Sequence, residues 1–534
     1  MGVFMLLFRT LIVLLVVLLG SASLDAQLTF NQIILDEGPI PSVFDGASIR
    51  FVEDAPSINS SGDVAFAAQL VVPDGMGGET FEGAIFGPTS GAGSPLGLIA
   101  RSGDSAPGAA DGAAFAFFDA PSINDSGDVA FQASLRTGTG AEVNSDNFQG
   151  IFGPTSGAGS PLGLIARRGS PAPDVNDGAV FGSVFSPSLN ESGDVAFLTF
   201  LRTGTGPPVN GDFSGGTSNN SAIFGPTAGA GSPFGLVVRA GDPAPGVDGE
   251  DFDFVDTPSL NDSGDVAFKA FLRTGTVIDG NNNDAIFGPT AGAGSPLGLV
   301  AREDSPAPGF DNGVEFGTVL SPSINEFGDL VFQAFLRSPG DPPQFPFPVF
   351  IPPPVEPGPI DSSNNTSLFG PTSGAGSPLG IIFQEDEPAP GVTDGAEFSD
   401  LLFSNGDTLG TPALNASGDV AFTTFLRVDS SSIASGTSFA LFASIADESQ
   451  LIVRGGDLVT VTLPDGSGTE DRTVRSIFFS PNGLNDAGEL AFRLSFTDGT
   501  QGIFTTASAT SVPEPSSLAL LGLVSLGVMV HRRK

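Results

Sequence analysis

The stretch SGDVAF at residues 126–131 recurs along the chain and determines how the sequence divides. Identical copies begin at Ser61, Ser192, Ser263 and Ser417, and the related stretches FGDLVF and AGELAF begin at Phe327 and Ala487. The acidic residues of the seven copies are Asp63, Asp128, Asp194, Asp265, Asp329, Asp419 and Glu489. Because self-similarity at intervals of this kind is typical of repeat architectures, the pattern predicts seven structural repeats.

Each repeat is predicted to form four short β-strands, as the second copy illustrates. An apolar stretch ends in Pro-Ser-Ile-Asn at 121–124, and the turn at 124–127 begins with Asn and ends with Gly, which is typical of hairpins. The apolar strands at 129–135 and 151–152 follow, and a Gly-Ser-Pro loop leads to the fourth strand at 164–167.

Seven four-stranded units favour an all-β fold, a seven-bladed β-propeller of antiparallel blades, over tandem sandwich domains. The two ends of the repeat region support closure. The seventh copy stops after Gly502-Ile503-Phe504, and the segment at 32–38 aligns with its missing fourth strand. We therefore expect the N-terminal strand to complete the last blade, which removes two exposed sheet edges.

The two faces of this propeller differ in their sequences. One face, named the repeated-turn face, carries the Asn-x-Ser-Gly turns and the Gly-rich loop at 89–95 with its copies. That loop contains no Lys and opens no helix, so it is not a phosphate loop. The other, the variable-loop face, carries loops of unequal length, including a Pro-rich insertion at 339–365 in blade five. Since variable loops above a rigid scaffold usually carry binding, we expect the ligand there.

Arginines and aspartates on the variable-loop face suggest two kinds of site. The arginines at strand ends either pair with carboxylates and tie blade to blade, or form a ring that binds uronic acids or sulfated sugars. They include Arg101, Arg136, Arg202, Arg239, Arg273 and Arg302. The acidic links between blades suggest calcium, which prefers several oxygen ligands, although no EF-hand spacing is present. The candidate carboxylates are Asp104, Asp242, Asp304 and Asp386.

Composition excludes several classes of function. With 60 acidic and 20 basic residues the formal charge is -40, which disfavours nucleic acid as a partner. The chain has no Cys, Tyr or Trp, and its single His is His531, near the C-terminus. Thiol chemistry, a catalytic triad and a His-ligated metal are therefore excluded for the body. Carboxylates, hydroxyls, arginines and Lys269 remain for chemistry.

Both ends of the chain carry targeting signals. Residues 1–26 contain an apolar core followed by small residues, which predicts a signal peptide cleaved between 22 and 26; an N-terminal anchor is the alternative. At the other end, residues 509–534 contain Val512-Pro513-Glu514-Pro515, an apolar run at 518–530 and a basic end with Arg532 and Arg533. This tail resembles the PEP-CTERM sorting domain read by exosortases.

The resemblance implies transient anchoring in the inner membrane. A helix over 516–530 is about 22 Å long, at about 1.5 Å per residue, against a hydrocarbon core of about 30 Å. The tail would be cut near the Pro-Glu-Pro, which delivers the body at 27–508 to the cell surface or extracellular matrix of a Gram-negative-type bacterium. A single-pass protein that keeps its tail is the alternative.

The repeats of the body resemble those of uncharacterised propeller-like proteins that often carry PEP-CTERM tails, and this resemblance implies no known activity. We expect a non-enzymatic adhesion or exopolysaccharide-binding protein that needs no cofactor other than, in one interpretation, calcium. The alternative is a hydrolase or lyase that acts on glycans with two carboxylates, which the composition permits. Blade five, with its insertion and with Gln384 in place of Arg, departs most from the repeat.

Overall fold

The structure is a computed structural model, and it describes residues 30–506 with short gaps. The gaps are 37, 39–45, 75, 110–111, 186, 212–217, 274–281, 311–312, 339–359, 361–363, 393, 400–402, 405–406, 409, 428–437 and 447. The predicted signal peptide and the sorting tail lie outside the described residues. Within the described part of the chain, no helix is long and apolar enough to cross a membrane.

The described strands form seven antiparallel blades, as the repeat predicts. In blades two to six the innermost strand consists of two pieces, both paired with the second strand. The first three blades contain β2 (Ser48–Ile58), β3 (Val64–Pro73), β4 (Glu79–Pro88) and β5 (Leu96–Arg101); β6 (Ala114–Phe118), β7 (Ser122–Ile123), β8 (Val129–Arg136), β9 (Gln149–Pro154) and β10 (Leu162–Arg167); and β11 (Val180–Val184), β12 (Ser188–Leu189), β13 (Val195–Arg202), β14 (Ser221–Pro226) and β15 (Phe234–Arg239).

The next three blades repeat this arrangement. They contain β16 (Phe252–Val255), β17 (Ser259–Leu260), β18 (Val266–Leu272), β19 (Asp284–Pro289) and β20 (Leu297–Arg302); β21 (Glu315–Val319), β22 (Ser323–Ile324), β23 (Leu330–Arg337), β24 (Thr366–Pro371) and β25 (Leu379–Gln384); and β26 (Glu397–Phe398), β29 (Ala413–Leu414), β30 (Val420–Arg427), β31 (Phe439–Ile445) and β32 (Glu448–Arg454). A small hairpin of β27 (Phe403–Ser404) and β28 (Asp407–Thr408) lies between β26 and β29.

The seventh blade confirms that the ends of the described chain close the ring. It contains β33 (Leu458–Thr462), β34 (Thr469–Phe478), β35 (Ala491–Phe496) and β36 (Gln501–Thr506), and the N-terminal strand β1 (Phe30–Leu35) pairs antiparallel with β36. The β33–β34 hairpin also holds β1, since the Gln32 side chain exchanges two hydrogen bonds with Thr462, at 2.8 and 2.9 Å. Tandem sandwich domains are thereby excluded.

The core lies between the blades, and phenylalanines are its largest fully buried side chains. In blade two, Phe131 of SGDVAF stacks on Phe152 of the third strand with ring centroids 5.9 Å apart. Five other blades contain the same stacked pair: Phe66–Phe86, Phe197–Phe224, Phe268–Phe287, Phe332–Phe369 and Phe422–Phe442. All of these rings are fully buried, which agrees with the predicted burial of strand two on both faces.

Candidate functional site

A closed ring of asparagine side chains surrounds the propeller axis at the repeated-turn face. The asparagine that begins each Asn-x-Ser-Gly turn donates from Nδ2 to the backbone oxygen of the equivalent asparagine in the next blade. The chain of donors and acceptors runs Asn59, Asn124, Asn190, Asn261, Asn325, Asn415 and Asn485, and Asn485 donates back to Asn59 at 2.9 Å. These residues are buried, so each bond replaces one to water and fixes the relative position of two blades.

The acidic residue of SGDVAF is part of the scaffold. In blade two, Oδ2 of Asp128 accepts the N–H of Gly159, 2.7 Å away in the Gly-rich loop, and also contacts Asn124 Nδ2 at 3.3 Å. The loop in turn reaches the next blade, where Ala158 N–H donates to Ser192 O at 2.9 Å. These hydrogen bonds within and between blades therefore explain why the same turns recur along the chain.

The residue after each ring asparagine forms an acidic ring at the end of the axial channel. The axial acidic ring consists of Asp125, Glu191, Asp262, Glu326 and Asp486, with Ser60 and Ala416 at the two remaining positions, around a cavity of about 140 Å³. The carboxylates bridge blades, because Asp125 accepts the N–H of Ser60 at 2.6 Å and Glu191 accepts that of Asp125 at 2.8 Å.

Burial, and then the crowding of like charges, raises the pKa of three carboxyls in this ring. Burial, together with the negative charges of Asp125, Asp262 and Asp486, raises the pKa of Glu191 to about 7, although the N–H of Asp125 opposes the shift. Burial and Asp486 also raise the pKa of Asp262 and of Glu326. Glu191 therefore exchanges its proton near neutral pH.

Sequence reasoning missed this ring, although a signal was present. The turns were correctly predicted to lie on one face, but not to meet at the axis. The variable residue of Asn-x-Ser-Gly is acidic in five of seven copies, and that bias could have indicated a shared environment.

Further along the axis, the innermost strands widen the channel. Their kinks place prolines around a cavity of about 440 Å³, with Ser and Thr side chains between them. The prolines are Pro121, Pro187, Pro258, Pro322 and Pro481. This part of the channel lacks ionisable side chains among its lining residues, so it offers shape and hydroxyls only.

Near the variable-loop face, one inner-edge position is acidic in blades one, two and four; in blade four it is Asp256, whose N–H donates to Lys269 O. Glu53 and Asp119 occupy equivalent positions at the inner edges of blades one and two, since Glu53 is opposite Ala67 and Asp119 N–H donates to Gln132 O. Burial raises the pKa of both carboxyls, and the nearby Asp54 adds to the shift. We name Glu53, Asp54, Asp119, Phe478 and Arg493 the blade-one vestibule.

A buried guanidinium and aromatic rings complete the vestibule. Arg493 lies with its guanidinium carbon 3.6 Å from the centroid of Phe478 and donates to Val52 O at 3.1 Å, beside Glu53. Burial lowers the pKa of Arg493 to about 10, against the opposing charge of Asp54. Phe117, two residues before Asp119, is 70% exposed. Acidic, cationic and aromatic groups thus meet at one place on the channel rim.

The structure places the predicted arginines in contacts with carboxylates and backbone. Arg101 pairs with Glu82 at 2.5 Å, Arg202 with Asp146 at 2.7 Å, Arg239 with Asp177 at 2.8 Å and Arg273 with Asp251 at 3.4 Å. The Arg136 guanidinium lies beside Gly103 in the preceding link. Nε of Arg302 is buried without a hydrogen-bond partner among the described residues. Arg202 and Asp146 belong to neighbouring blades, whereas Arg101 and Glu82 lie on neighbouring strands of blade one; the anion-binding ring stays a prediction.

The four aspartates proposed for calcium occupy two different positions of the repeat. Asp304 and Asp386 adopt left-handed backbone, with φ of 67° and 72°, where two other links have Gly103 and Gly241. They pair with Arg337 and Arg427. Asp104 and Asp242 come one position later, and Asp242 accepts the N–H of Arg239 at 2.8 Å. The described residues contain no group of three or more carboxylates placed to hold a metal, so calcium binding stays a prediction.

Blade five departs less from the repeat than its sequence indicates. Gln384 donates from its amide to Asn364 O at 3.0 Å, and in blade two Arg167 donates from Nε to Asn147 O at 2.8 Å. The glutamine thus replaces the arginine in an equivalent contact. Most of the insertion at 339–365 lies outside the described residues.

Comparisons with solved structures found only remote likeness. The chain is 8% identical to Trypanosoma rangeli sialidase over 93% of this chain and 61% of that chain, with a TM-score of 0.32. It is 9% identical to α-L-arabinanase from Penicillium chrysogenum over 74% of this chain and 94% of that one, with a TM-score of 0.29. These values carry no argument about activity. A search of curated proteins found no match.

Family models match almost the whole chain. The PEP-CTERM protein-sorting motif matches residues 511–534, which confirms the resemblance seen in the tail and implies export with membrane-anchored sorting. The model described as a family of unknown function, DUF7453, matches residues 26–216, 209–344 and 356–519. The chain is therefore a member of the DUF7453 family that carries a PEP-CTERM sorting signal.

Proposed function

We propose that the body is a non-enzymatic protein of the cell surface or matrix that binds a glycan at the blade-one vestibule on the variable-loop face. The single observation that supports this site is the meeting of acidic, cationic and aromatic groups there, namely Glu53, Asp119, Phe478 and Arg493. Binding sites for small polar ligands combine a few convergent polar groups with apolar surface. Exposed Phe117 provides a ring face against which a sugar can pack.

The charge of the protein favours a neutral glycan or one with amino groups. The formal charge is -40, and Arg101, Arg202, Arg239 and Arg273 are already paired with carboxylates. A uronic acid or sulfated sugar would be repelled by the body as a whole. Carboxylates such as Glu53 and Asp119 accept hydrogen bonds from sugar hydroxyls and attract ammonium groups.

Export and processing follow from the sorting motif. We expect an exosortase to recognise Val512-Pro513-Glu514-Pro515 and to release the body from its transient anchor in the inner membrane. The glycan that the body meets would then be the exopolysaccharide of its own cell.

The test compares two exposed phenylalanines on opposite faces. The probe is exopolysaccharide purified from the producing bacterium, and binding to the full chain is measured by pull-down and by calorimetry. We expect Phe117→Ala to weaken binding about tenfold, which corresponds to the loss of roughly 1.4 kcal/mol of contact. Phe327→Ala removes a ring that is 49% exposed in a repeated turn, and it should leave binding unchanged. No retention of the exopolysaccharide, or a larger loss in Phe327→Ala, would contradict the proposal.

A glycan hydrolase is the second candidate, and the same two carboxyls favour it. Glycosidases use a pair of carboxyl groups, one of which has a raised pKa and donates a proton. Burial raises the pKa of both Glu53 and Asp119. If the site is catalytic, release of reducing ends from the exopolysaccharide should disappear in Glu53→Gln and in Asp119→Asn, whereas binding persists. Absence of turnover in the wild type, together with retained binding, supports the non-enzymatic function.

A further inference from the structure

The most unusual buried cluster lies far from the vestibule, in blade four. Lys269, the only lysine outside the C-terminal tail, is 9% exposed, and its Nζ lies 3.1 Å from Oδ2 of Asp284. Asp284 is 6% exposed. A third ionisable group, Glu303, is 5% exposed and donates its backbone N–H to Asp284 O at 2.9 Å. An amine and two carboxyl groups are thus enclosed together.

The scaffold does not require this cluster, because the other blades lack it. The position of Lys269 on strand two is occupied elsewhere by Ala67, Gln132, Leu198, Gln333, Thr423 and Arg493. The position of Asp284, set by the pairing of strands two and three, is occupied by Gly83, Gln149, Ser221, Thr366, Phe439 and Gln501. The position of Glu303 is occupied by Asp36, Ser102, Arg168, Ala240, Glu385 and Gly455. The third position is acidic in two other blades, but only blade four combines an amine at the first position with carboxyl groups at the second and third.

The surroundings of the cluster are largely apolar. Lys269 and Asp284 lie on the same strand face as Ala267 and Ile286, which packs against blade five, and both of those apolar residues are buried in the shared core. The Phe271 ring centroid is 4.8 Å from Nζ. A buried ion pair gains little over apolar residues because both charges lose hydration. A reaction that removes both charges would relieve that cost.

We propose that Lys269 and Asp284 join in an intramolecular amide bond, with Glu303 as the general acid and base. The bond would cross-link strands β18 and β19 of blade four. It goes beyond the proposed glycan binding and does not depend on it.

The reaction balances without any external reagent. The Nζ proton passes to the Asp284 carboxylate, and the neutral amine attacks Cγ to form the N–C bond. Glu303 donates its proton to the departing hydroxyl and recovers one from the nitrogen, so that one water leaves and no group is oxidised or reduced. Because the fold already holds the reacting groups in contact, the reaction does not incur the entropy cost of bringing them together. A proton is available, because burial and the charge of Asp284 raise the pKa of Glu303 to about 8.

Peptide mapping of the purified full chain tests the bond. Arg239, Lys269, Arg273 and Arg302 are the successive tryptic sites in this region. With the amide present, trypsin cannot cut after Lys269, and the denatured digest contains residues 240–273 joined to 274–302. The mass of this species is the sum of the two peptides less one water. Free peptides 270–273 and 274–302 as the main products from the wild type would overturn the proposal.

Three variants separate the roles of the residues. Lys269→Leu should give unlinked peptides, and it should fold because Leu198 occupies the equivalent position in blade three. Glu303→Gln keeps the shape of the acid but not its proton transfer, and we expect unlinked peptides. Glu385→Gln changes the equivalent buried acid of blade five, where Thr366 stands in place of Asp284, and the link should remain. Linked peptides in Glu303→Gln at the wild-type level would overturn the role of Glu303.

Discussion

Replacement of Asn190 by alanine is expected to destabilise the body by about 3 kcal/mol, because one buried and two partly buried hydrogen bonds disappear. Nδ2 of Asn190 donates to Asn261 O at 3.1 Å and to Asp194 Oδ2 at 3.3 Å, and its Oδ1 accepts the N–H of Asp194 at 2.8 Å. Each bond contributes about 1 kcal/mol. The Asn261 carbonyl and the Asp194 N–H would also lose a partner, which adds to the cost.

The measurement is equilibrium unfolding in urea followed by far-UV circular dichroism, since the chain has no Trp or Tyr for fluorescence. Unfolding entropy of about 2.1 cal/mol/K per residue over roughly 480 residues gives about 1 kcal/mol/K, so the melting temperature should fall by about 3 °C. Asn144→Ala is the control, because Asn144 lies in an exposed loop and its side chain accepts only the N–H of Asp146, at 2.8 Å.

Closure of the ring gives this prediction its sharpest test. Asn485 donates to Asn59 across the junction of the first and last repeats, at 2.9 Å. Asn485 also bonds to Ala487 and Glu489 within its own turn. In a closed ring Asn485→Ala should therefore cost about as much as Asn190→Ala, whereas in an open array its cost should be smaller by the bond to Asn59, about 1 kcal/mol. A cost for Asn485→Ala that is lower than that for Asn190→Ala by this amount would contradict ring closure.

Two further predictions concern the repeated-turn face. A carboxyl whose pKa is raised in the folded state binds more protons when the protein is folded than when it is unfolded. Its contribution to stability is therefore present at low pH and lost as pH rises. Because the pKa of Glu191 is raised from 4.5 to about 7, Glu191→Gln should flatten the decline in wild-type stability between about pH 4.5 and 7. An equal slope in both proteins, measured by urea unfolding across this range, would show that Glu191 does not titrate as inferred. Gly127 has φ of 79°, and an added Cβ would lie 2.5 Å from Ala92 N, whereas Gly93 has φ of 71° with nothing within 4 Å. Gly93→Ala should therefore lower the free energy of unfolding by about 1 kcal/mol, for left-handed backbone alone. Gly127→Ala should lower it by about 3 kcal/mol or more, because a backbone clash is added. Equal melting temperatures for the two variants would contradict this reasoning.

The sequence by itself determined the number of blades, the strands within each blade and the closure by residues 30–35. These features depend on local signals: apolar runs of strand length, Asn and Gly in turns, and a register that leaves the seventh copy one strand short. The arginine positions were also visible, although their carboxylate partners were not, because those partners lie on other strands, links and loops that the fold brings near.

Only the tertiary structure decided which residues meet at the axis and between blades. Asp125 and Glu191 are 66 residues apart, yet the rotation from blade to blade brings them into one ring. The sequence analysis grouped Asp304 with Asp104, but the left-handed backbone of Asp304 shows that it occupies the position of Gly103 in the repeat. In the sequence, Lys269 is a single polar residue in an apolar strand. Only the pairing of the strands places its partners Asp284 and Glu303 beside it. Repeats encode the path of the chain locally, whereas contacts between copies depend on the angle between blades, which no single copy contains.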